Sequence, residues 1–156
     1  RNNEFASELS RAVQSWQPHA LVDNRVHARY EVTDDTAVDI LTCLMQEGHA
    51  HLISFMDHTP GQGQFKSTQA YREFLSKTYD MSEAELDKRL QDKITAAQGG
   101  FGRMEILAKV AQDCGISIAS HDDDTPEKVA LIQNLGAVIS EFPINLETAQ
   151  AAKTKG

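Results

Sequence analysis

Short apolar segments alternate with longer amphipathic ones along this 156-residue chain, and this alternation constrains its fold more than any other feature. Four segments have the apolar run or the period-two pattern of β-strands, and helical apolar spacing follows them. The predicted strands cover 19–32, 51–56, 116–120 and 137–141. Strands that alternate with helices usually pair in parallel and are covered by those helices, so the sequence predicts an α/β fold with a parallel sheet.

The predicted helices follow the 3.6-residue apolar period. They cover 4–17, the segment from Asp34 or Asp35 to Gly48, two stretches within 67–98, then 103–113, 126–135 and 145–155. Ser82 followed by Glu85 fits a capping box, so the second helix of the 67–98 pair is predicted to begin there. Because this pair interrupts the alternation, residues 61–98 are predicted to be a helical insertion after the second strand, serving as a lid or as a packing element.

Composition excludes two classes of partner. The chain has 15 Lys and Arg residues against 23 Asp and Glu, a formal net charge of -8, and no basic cluster. This balance argues against nucleic-acid binding, which depends on clustered positive charge. The apolar stretches are far shorter than the roughly 20 residues of a membrane-spanning helix, so no membrane segment is expected.

The two cysteines indicate the compartment in which the protein is found. Cys43 and Cys114 lie far apart in helical contexts, which predicts two buried free thiols in a reducing compartment. With no signal peptide, this indicates a cytoplasmic location.

The chain begins at Arg1 rather than Met and stops at Gly156, where another strand would be expected, so we expect it to be a piece of a longer protein.

Polar side chains that can bind metals or move protons stand at the end of all four predicted strands. They are His27 and Glu31, Asp57 and His58, His121 with 122–124, and Glu141. Because the carboxyl ends of parallel strands meet at one mouth, these side chains are expected to converge. Imidazole and carboxylate groups bind zinc or a similar divalent ion, which makes hydroxide available near neutral pH. The pattern predicts metal-assisted hydrolysis with one or two ions.

The strand-end residues also have structural interpretations. The leading candidate ligands are Glu31, His58 and His121, with His27, Asp57 and Asp122 behind them. Alternatively, Glu31 or Asp57 caps a following helix, and the 122–124 run stabilises a helix N-terminus through its dipole. For Asp123 and Asp124 the structural role is the favoured interpretation.

Two further motifs carry weaker signals. His49 and His51 form a His-x-His pair, but they precede the second strand, opposite the mouth, and are expected to be surface histidines. The loop 61–64 lacks the Lys and Ser/Thr of a P-loop, although its glycines could let backbone N–H groups approach an anion. Cations near the insertion that could meet phosphate groups, or be ordinary solvated charges, are Lys66, Arg72 and Arg103.

Four sequence strings together resemble a known family. They are FMDHTPGQGQF at 55–65, ASHDDDT at 119–125, SEFP at 140–143, and VHARYE at 26–31, which matches a His-x-Arg-x-Glu segment. Over essentially its whole length the chain resembles the amidohydrolase-superfamily hydrolases of carbon-phosphorus lyase pathways. The resemblance implies a distorted (β/α)8 TIM-like barrel with divalent metal at its mouth. It also implies hydrolysis that releases pyrophosphate from a 5-triphosphorylated ribose phosphonate.

The resemblance and the strand-end pattern together give the candidate roles, and the resemblance itself implies Glu31, His58 and His121 as ligands. Metal ligands would be Glu31, which could bridge two ions, His58 and His121, with His27 as a further candidate. Asp57 and Asp122 are the candidate catalytic groups. Substrate contacts are expected from Gln62, Gln64, Lys66, Arg103 and Glu141.

The motif expected on the first barrel strand and a late-strand aspartate lie outside this chain, and a closed barrel takes about 250 residues. Residues 1–156 are therefore expected to form one partial barrel domain, with 61–98 as an insertion within it and the remainder of the barrel as its partner. We expect little activity from the chain alone, and its open sheet edges favour a homodimer. The alternatives are another metal hydrolase, such as a deacetylase or deaminase, and a non-catalytic scaffold module.

Overall fold

Four parallel strands form one sheet, and their order across the sheet is also their order along the chain. The computed structural model describes residues 3–63, 65 and 67–155, and within them it has an α/β fold with seven α-helices. The strands are β1 (His27–Glu31), β2 (Leu52–Met56), β3 (Ser117–His121) and β4 (Ala137–Glu141). The helices are α1 (Asn3–Trp16), α2 (Ala37–Gln46), α3 (Thr68–Thr78), α4 (Glu83–Ala97), α5 (Gly100–Asp113), α6 (Pro126–Asn134) and α7 (Leu146–Lys155). The predicted α/β class and parallel sheet are confirmed.

The first strand is shorter than the sequence pattern predicts. Residues 17–19 form a short 3-10 helix that contains Pro18, and pairing begins only at His27, opposite Leu52 of β2. The residues before His27 have no regular strand partner, because β2 does not extend past Leu52 in that direction. Apolar character alone therefore overestimates the length of this strand.

The two faces of the sheet differ in character. On one face, Tyr30, Ile53, Phe55 and Ile118 are almost fully buried. They pack in a core with residues of α2 and α5, including Leu44, Met45, Leu107, Ala108 and Ala111. Side chains alternate along a strand, so the opposite face of β1 carries His27, Arg29 and Glu31. The register aligns Glu31 with Met56, and Met56 with His121, which places these polar strand ends on the same face.

The helical segment between β2 and α5 has a small hydrophobic core of its own. Phe65, Tyr71, Leu75 and Leu86 form a buried cluster separate from the core under the sheet. Both α3 and α4 have side-chain caps, and the capping box predicted at Ser82 is present. The Arg72 guanidinium, a candidate phosphate contact, pairs instead with Glu83 and Asp87, so it joins α3 to α4.

Both cysteines are free, as predicted, but both are exposed, so the prediction of buried thiols is wrong. Cys43 precedes Leu44 and Met45, the two buried residues of α2, and lies on a more exposed side of the helix. Cys114 follows the last turn of α5 and reaches solvent there. No helix in the described part of the chain has both the length and the apolar character needed to span a membrane.

Candidate metal centre

Three of the predicted site residues come together at the carboxyl ends of β2 and β3. His58 lies just after β2, His121 is the last residue of β3, and Asp122 follows it. One nitrogen from each imidazole and one oxygen of the Asp122 carboxylate lie within 4.8 Å of one another. The structure thus brings together residues that are 64 positions apart in sequence.

His58 is oriented by Glu31. Its Nδ1 lies 2.8 Å from Oε2 of Glu31, and its backbone N–H donates to Oε1 of the same carboxylate at 3.2 Å. The Glu31 side chain is only 1% exposed, so both bonds are shielded from water. Glu31, the leading carboxylate ligand from sequence, therefore lies on the Nδ1 side of His58.

Lys93 of α4 reaches the same buried carboxylate. Its Nζ donates to Oε1 of Glu31 at 3.1 Å and to Oγ1 of Thr33 at 2.8 Å. Burial by itself raises the pKa of Glu31, but the hydrogen bond from His58 and the charge and hydrogen bond of Lys93 outweigh it. The result is a pKa of about 2, so Glu31 is a carboxylate at neutral pH.

His121 lies between Glu141 and Arg29. Its Nδ1 lies 3.2 Å from Oε2 of Glu141, and its Nε2 accepts from Nη2 of Arg29 at 2.5 Å. A guanidinium can only donate, so Nε2 must carry a lone pair, and Nδ1 then carries the proton that is donated to Glu141. The partners of His121 thus indicate its tautomer.

The chemistry of these atoms fits a divalent cation. Nε2 of His58 lies 3.4 Å from Oδ2 of Asp122, and Nε2 of His121 lies 3.6 Å from Oδ1. With Nδ1 donating to a carboxylate, each neutral imidazole has a lone pair on Nε2, beside the acceptor oxygens of Asp122. A cation can bind these three groups when Nε2 of His121 gives up its hydrogen bond from Arg29. Two imidazoles and a carboxylate suit zinc or a similar ion, and carboxylates behind the imidazoles commonly orient metal-binding histidines.

Asp122 adopts an uncommon backbone conformation, with φ of 53°. Its N–H donates to the carbonyl of Glu141 at 3.0 Å, which holds the turn after β3 in place. A non-glycine residue in the left-handed region costs free energy, and such residues occur often at functional sites. The backbone strain at Asp122 is therefore consistent with a functional role for its carboxylate.

His27 lies beside this cluster rather than within it. Its Nε2 forms a hydrogen bond with Oγ of Ser54 at 2.5 Å and lies 3.8 Å from Oε1 of Glu141. Glu141 therefore stands between His27 and His121, and one of its oxygens faces each ring. Metal binding by His27 and substrate contact by Glu141 stay predictions.

The other candidates lie outside the cluster and make local contacts. Oδ1 of Asp57 accepts from the backbone N–H of Thr59, so this carboxylate stabilises the turn after β2. Gln62 pairs with Phe65 through a backbone bridge. Arg103 donates to the carbonyls of Val32, Ala96 and Gln98, which connects the end of α4 to the end of β1. Gln64 and Lys66 lie outside the described residues.

The aspartates after His121 accept hydrogen bonds from neighbouring segments, whereas Thr125 supplies the side-chain cap of α6. Asp123 is fully buried and accepts hydrogen bonds from the hydroxyls of Ser120 and Ser140, which joins the ends of β3 and β4. Asp124 accepts from the N–H of Gly63 at 3.1 Å and so holds the loop after β2. These contacts position the turn that carries Asp122. None of the three partner residues could be identified from helix capping alone.

His49 and His51 lie at the amino end of β2, opposite the cluster, as predicted. They are half-buried rather than fully exposed. Nδ1 of His51 accepts from the N–H of Val26 at 3.1 Å, and His49 lies 3.6 Å from Glu47. The His-x-His pair thus joins local segments.

Sequence reasoning missed Arg29 and Lys93 as site residues. Arg29 lies between His27 and Glu31 on one face of β1, so the period-two alternation contained a signal for it. Lys93 lies 62 residues from Glu31 on a charged helix, and no local pattern distinguishes it from its neighbours.

Comparison with known proteins adds one similarity. No protein-family model and no solved structure matches the chain. One curated protein is 31% identical over 156 residues, and the match covers 98% of this chain but 41% of that protein. The chain therefore spans less than half the length of this relative. The resemblance seen in the sequence motifs is confirmed: nearly the whole chain is similar to part of the alpha-D-ribose 1-methylphosphonate 5-triphosphate diphosphatase of Escherichia coli (strain K12).

Proposed function

We propose that this chain is part of a metal-dependent, amidohydrolase-type hydrolase that releases pyrophosphate from alpha-D-ribose 1-methylphosphonate 5-triphosphate in phosphonate catabolism. The similarity to the Escherichia coli diphosphatase supports the reaction. The observation that carries the proposal is the convergence of His58, His121 and Asp122 at the carboxyl edge of the sheet, because two imidazoles and a carboxylate are groups that could hold a divalent ion.

The proposal includes the architecture of the parent protein. Four parallel strands in sequence order, with polar side chains at their carboxyl ends, suit one part of a (β/α)8 barrel. The remaining strands would come from the parts of the parent protein that this chain does not cover. Residues 61–98 would be an insertion within the barrel, next to its mouth.

The chain's own residues would hold the ion and move the proton. Nε2 of His58 and Nε2 of His121 would bind the ion, while Glu31 and Glu141 orient the two rings through their Nδ1 atoms. A bound divalent ion supplies Lewis acidity and lowers the pKa of water. The oxygen of a water molecule would form a bond to the α-phosphorus. The bond between the α-phosphorus and the oxygen that bridges it to the β-phosphorus would break, and pyrophosphate would leave with that electron pair. Asp122, whose carboxylate lies beside both Nε2 atoms, would accept the proton of the attacking water.

The decisive experiment measures pyrophosphate release by the full-length parent protein loaded with zinc or manganese. We expect release that a chelator abolishes and that His121→Ala reduces at least 100-fold, whereas the matched control His49→Ala retains it. Acetate or ammonia release from other substrates, without pyrophosphate release, would indicate a deacetylase or deaminase instead. Metal binding and turnover unchanged in both His58→Ala and His121→Ala would favour a non-catalytic scaffold.

A further inference from the structure

We propose that Arg29 is the anion-binding residue of the candidate metal centre and contacts phosphoryl oxygens of the pyrophosphate group. This inference rests on the proposed function and specifies how the site would bind its substrate class. Arg29 lies on β1, on the same strand face as His27 and Glu31, and its guanidinium reaches His121 at the end of β3.

Arg29 has no acidic partner among the residues that the structure describes. Its contacts are to the two ring nitrogens of His121, at 2.5 Å for Nε2 and 3.4 Å for Nδ1. Lys93, another cation at the site, is paired with the buried carboxylate of Glu31. Arg29 forms no ion pair within the described part of the chain, and as an exposed residue it is accessible to a ligand.

The contact to His121 uses the same lone pair that a metal ion would use. Nε2 of His121 can accept from Arg29 or bind an ion, but it cannot do both. When this lone pair binds an ion, the guanidinium of Arg29 loses its hydrogen-bond acceptor. Arg29 nevertheless stays beside the site, because β1 holds its backbone there. Its N–H donors are then available for oxygens of a bound anion.

Charge favours this role. Glu31, Asp122 and Glu141 surround the site, and the whole chain has a net charge of -8, so a polyphosphate needs a local cation to approach. A guanidinium binds phosphate oxygens through paired, charge-assisted hydrogen bonds and stays protonated at any physiological pH. Arg29 supplies that group beside His121, one of the residues that would hold the ion.

Isothermal titration of the metal-loaded, full-length protein with inorganic pyrophosphate tests the inference, with bound metal quantified after each titration. We expect Arg29→Met to weaken pyrophosphate binding by about 10- to 100-fold, and Arg29→Lys by less. Metal affinity should be unchanged or tighter. Arg25→Met is the matched control, because Arg25 is an exposed arginine on the same segment that pairs with Asp23, and it should bind pyrophosphate like the wild type.

Pyrophosphate affinity unchanged in Arg29→Met would overturn the inference, and so would a wild type that does not bind pyrophosphate. A parallel loss of metal affinity would overturn it too, since Arg29 would then act by positioning His121. Failure of the proposed function is a separate result: Arg29-dependent pyrophosphate binding without pyrophosphate release from the substrate would retain this inference and reject the reaction.

Discussion

The ammonium group of Lys93 lies 3.1 Å from Oε1 of Glu31, and through this ion pair α4 contacts the end of β1. Glu31 is 1% exposed and Lys93 is 17% exposed, so the pair is shielded from solvent. Helix α4 thus contributes a partner of the glutamate that orients His58.

Removing this cation should destabilise the fold. Lys93→Met leaves the Glu31 carboxylate buried with one partner fewer, so the free energy of unfolding should fall by about 2 to 4 kcal/mol. Urea denaturation of the metal-free protein measures the change. Lys88→Met is the control on the same helix, because Lys88 is 80% exposed, and it should change stability by less than about 0.5 kcal/mol. Equal stability of the two variants would contradict the prediction.

The low pKa of Glu31 makes part of the stability depend on pH. Its pKa falls from 4.5 to about 2 on folding, so its stabilising contribution is complete above about pH 4.5 and disappears as the pH falls through about 2. The contribution at neutral pH is roughly 3 kcal/mol. Guanidinium unfolding of metal-free wild type and Glu31→Gln at several pH values should show a stability difference that shrinks between pH 4.5 and 2. A difference that does not change with pH would argue against a depressed pKa.

Removing a candidate ligand should abolish tight metal binding. His58→Ala deletes one of the three converging ligand atoms, and losses of supporting residues alone cost about 10- to 100-fold in affinity, so we expect more than about 100-fold. Competition with a metal-binding dye gives the dissociation constant. His49→Ala should bind metal like the wild type. Unchanged affinity in His58→Ala would remove this residue from the ligand set.

Gly63 is placed where a side chain would disturb the site. Its φ is 52°, and an added Cβ would lie 3.1 Å from the Asp57 carbonyl oxygen and 3.2 Å from that of Asp122. Gly63→Ala should therefore displace Asp122, weaken metal binding by about 10-fold and lower stability by about 1 to 2 kcal/mol. Gly61→Ala is the matched control, because its φ is also positive but the space around it is open, so it should retain metal affinity. Equal metal affinities would show that the loop accommodates the methyl group.

Asp123 should matter for stability more than any exposed aspartate. Asp123→Ala leaves the hydroxyls of Ser120 and Ser140 without their acceptor in a fully buried position, which should cost about 2 to 4 kcal/mol. Asp113→Ala, at an exposed position on α5, should cost less than about 0.5 kcal/mol. Thermal or chemical unfolding compares the two variants, and a small loss for Asp123→Ala would show that water replaces the carboxylate.

The sequence predicts where the strands end and which polar residues follow them, because both depend on local pattern. The apolar runs end next to His58 and His121, and parallel pairing then brings these ends together. The first residue of β1 could not be predicted from sequence, since it depends on where β2 begins and not on the apolar character of residues 20–26. Pairing between distant segments, rather than propensity, determines that boundary.

Contacts between side chains that are far apart in sequence could not be predicted either. The orientation of His58 by Glu31 depends on the register of β1 and β2, and the contribution of Lys93 depends on how α4 packs against the end of β1. The serine partners of Asp123 likewise depend on β3 and β4 lying side by side. Residue types indicated which groups could act, but only the fold determines which atoms face each other.

The order of the strands has a consequence for biosynthesis. Each strand pairs with the one made immediately before it, so a growing chain can add β2 to β1 and β3 to β2 without rearranging earlier pairs. The candidate cation site is completed before the sheet, because Asp122 is translated directly after β3 and β4 follows later. A ribosome-bound chain can thus contain all three residues of the candidate site while it still lacks β4.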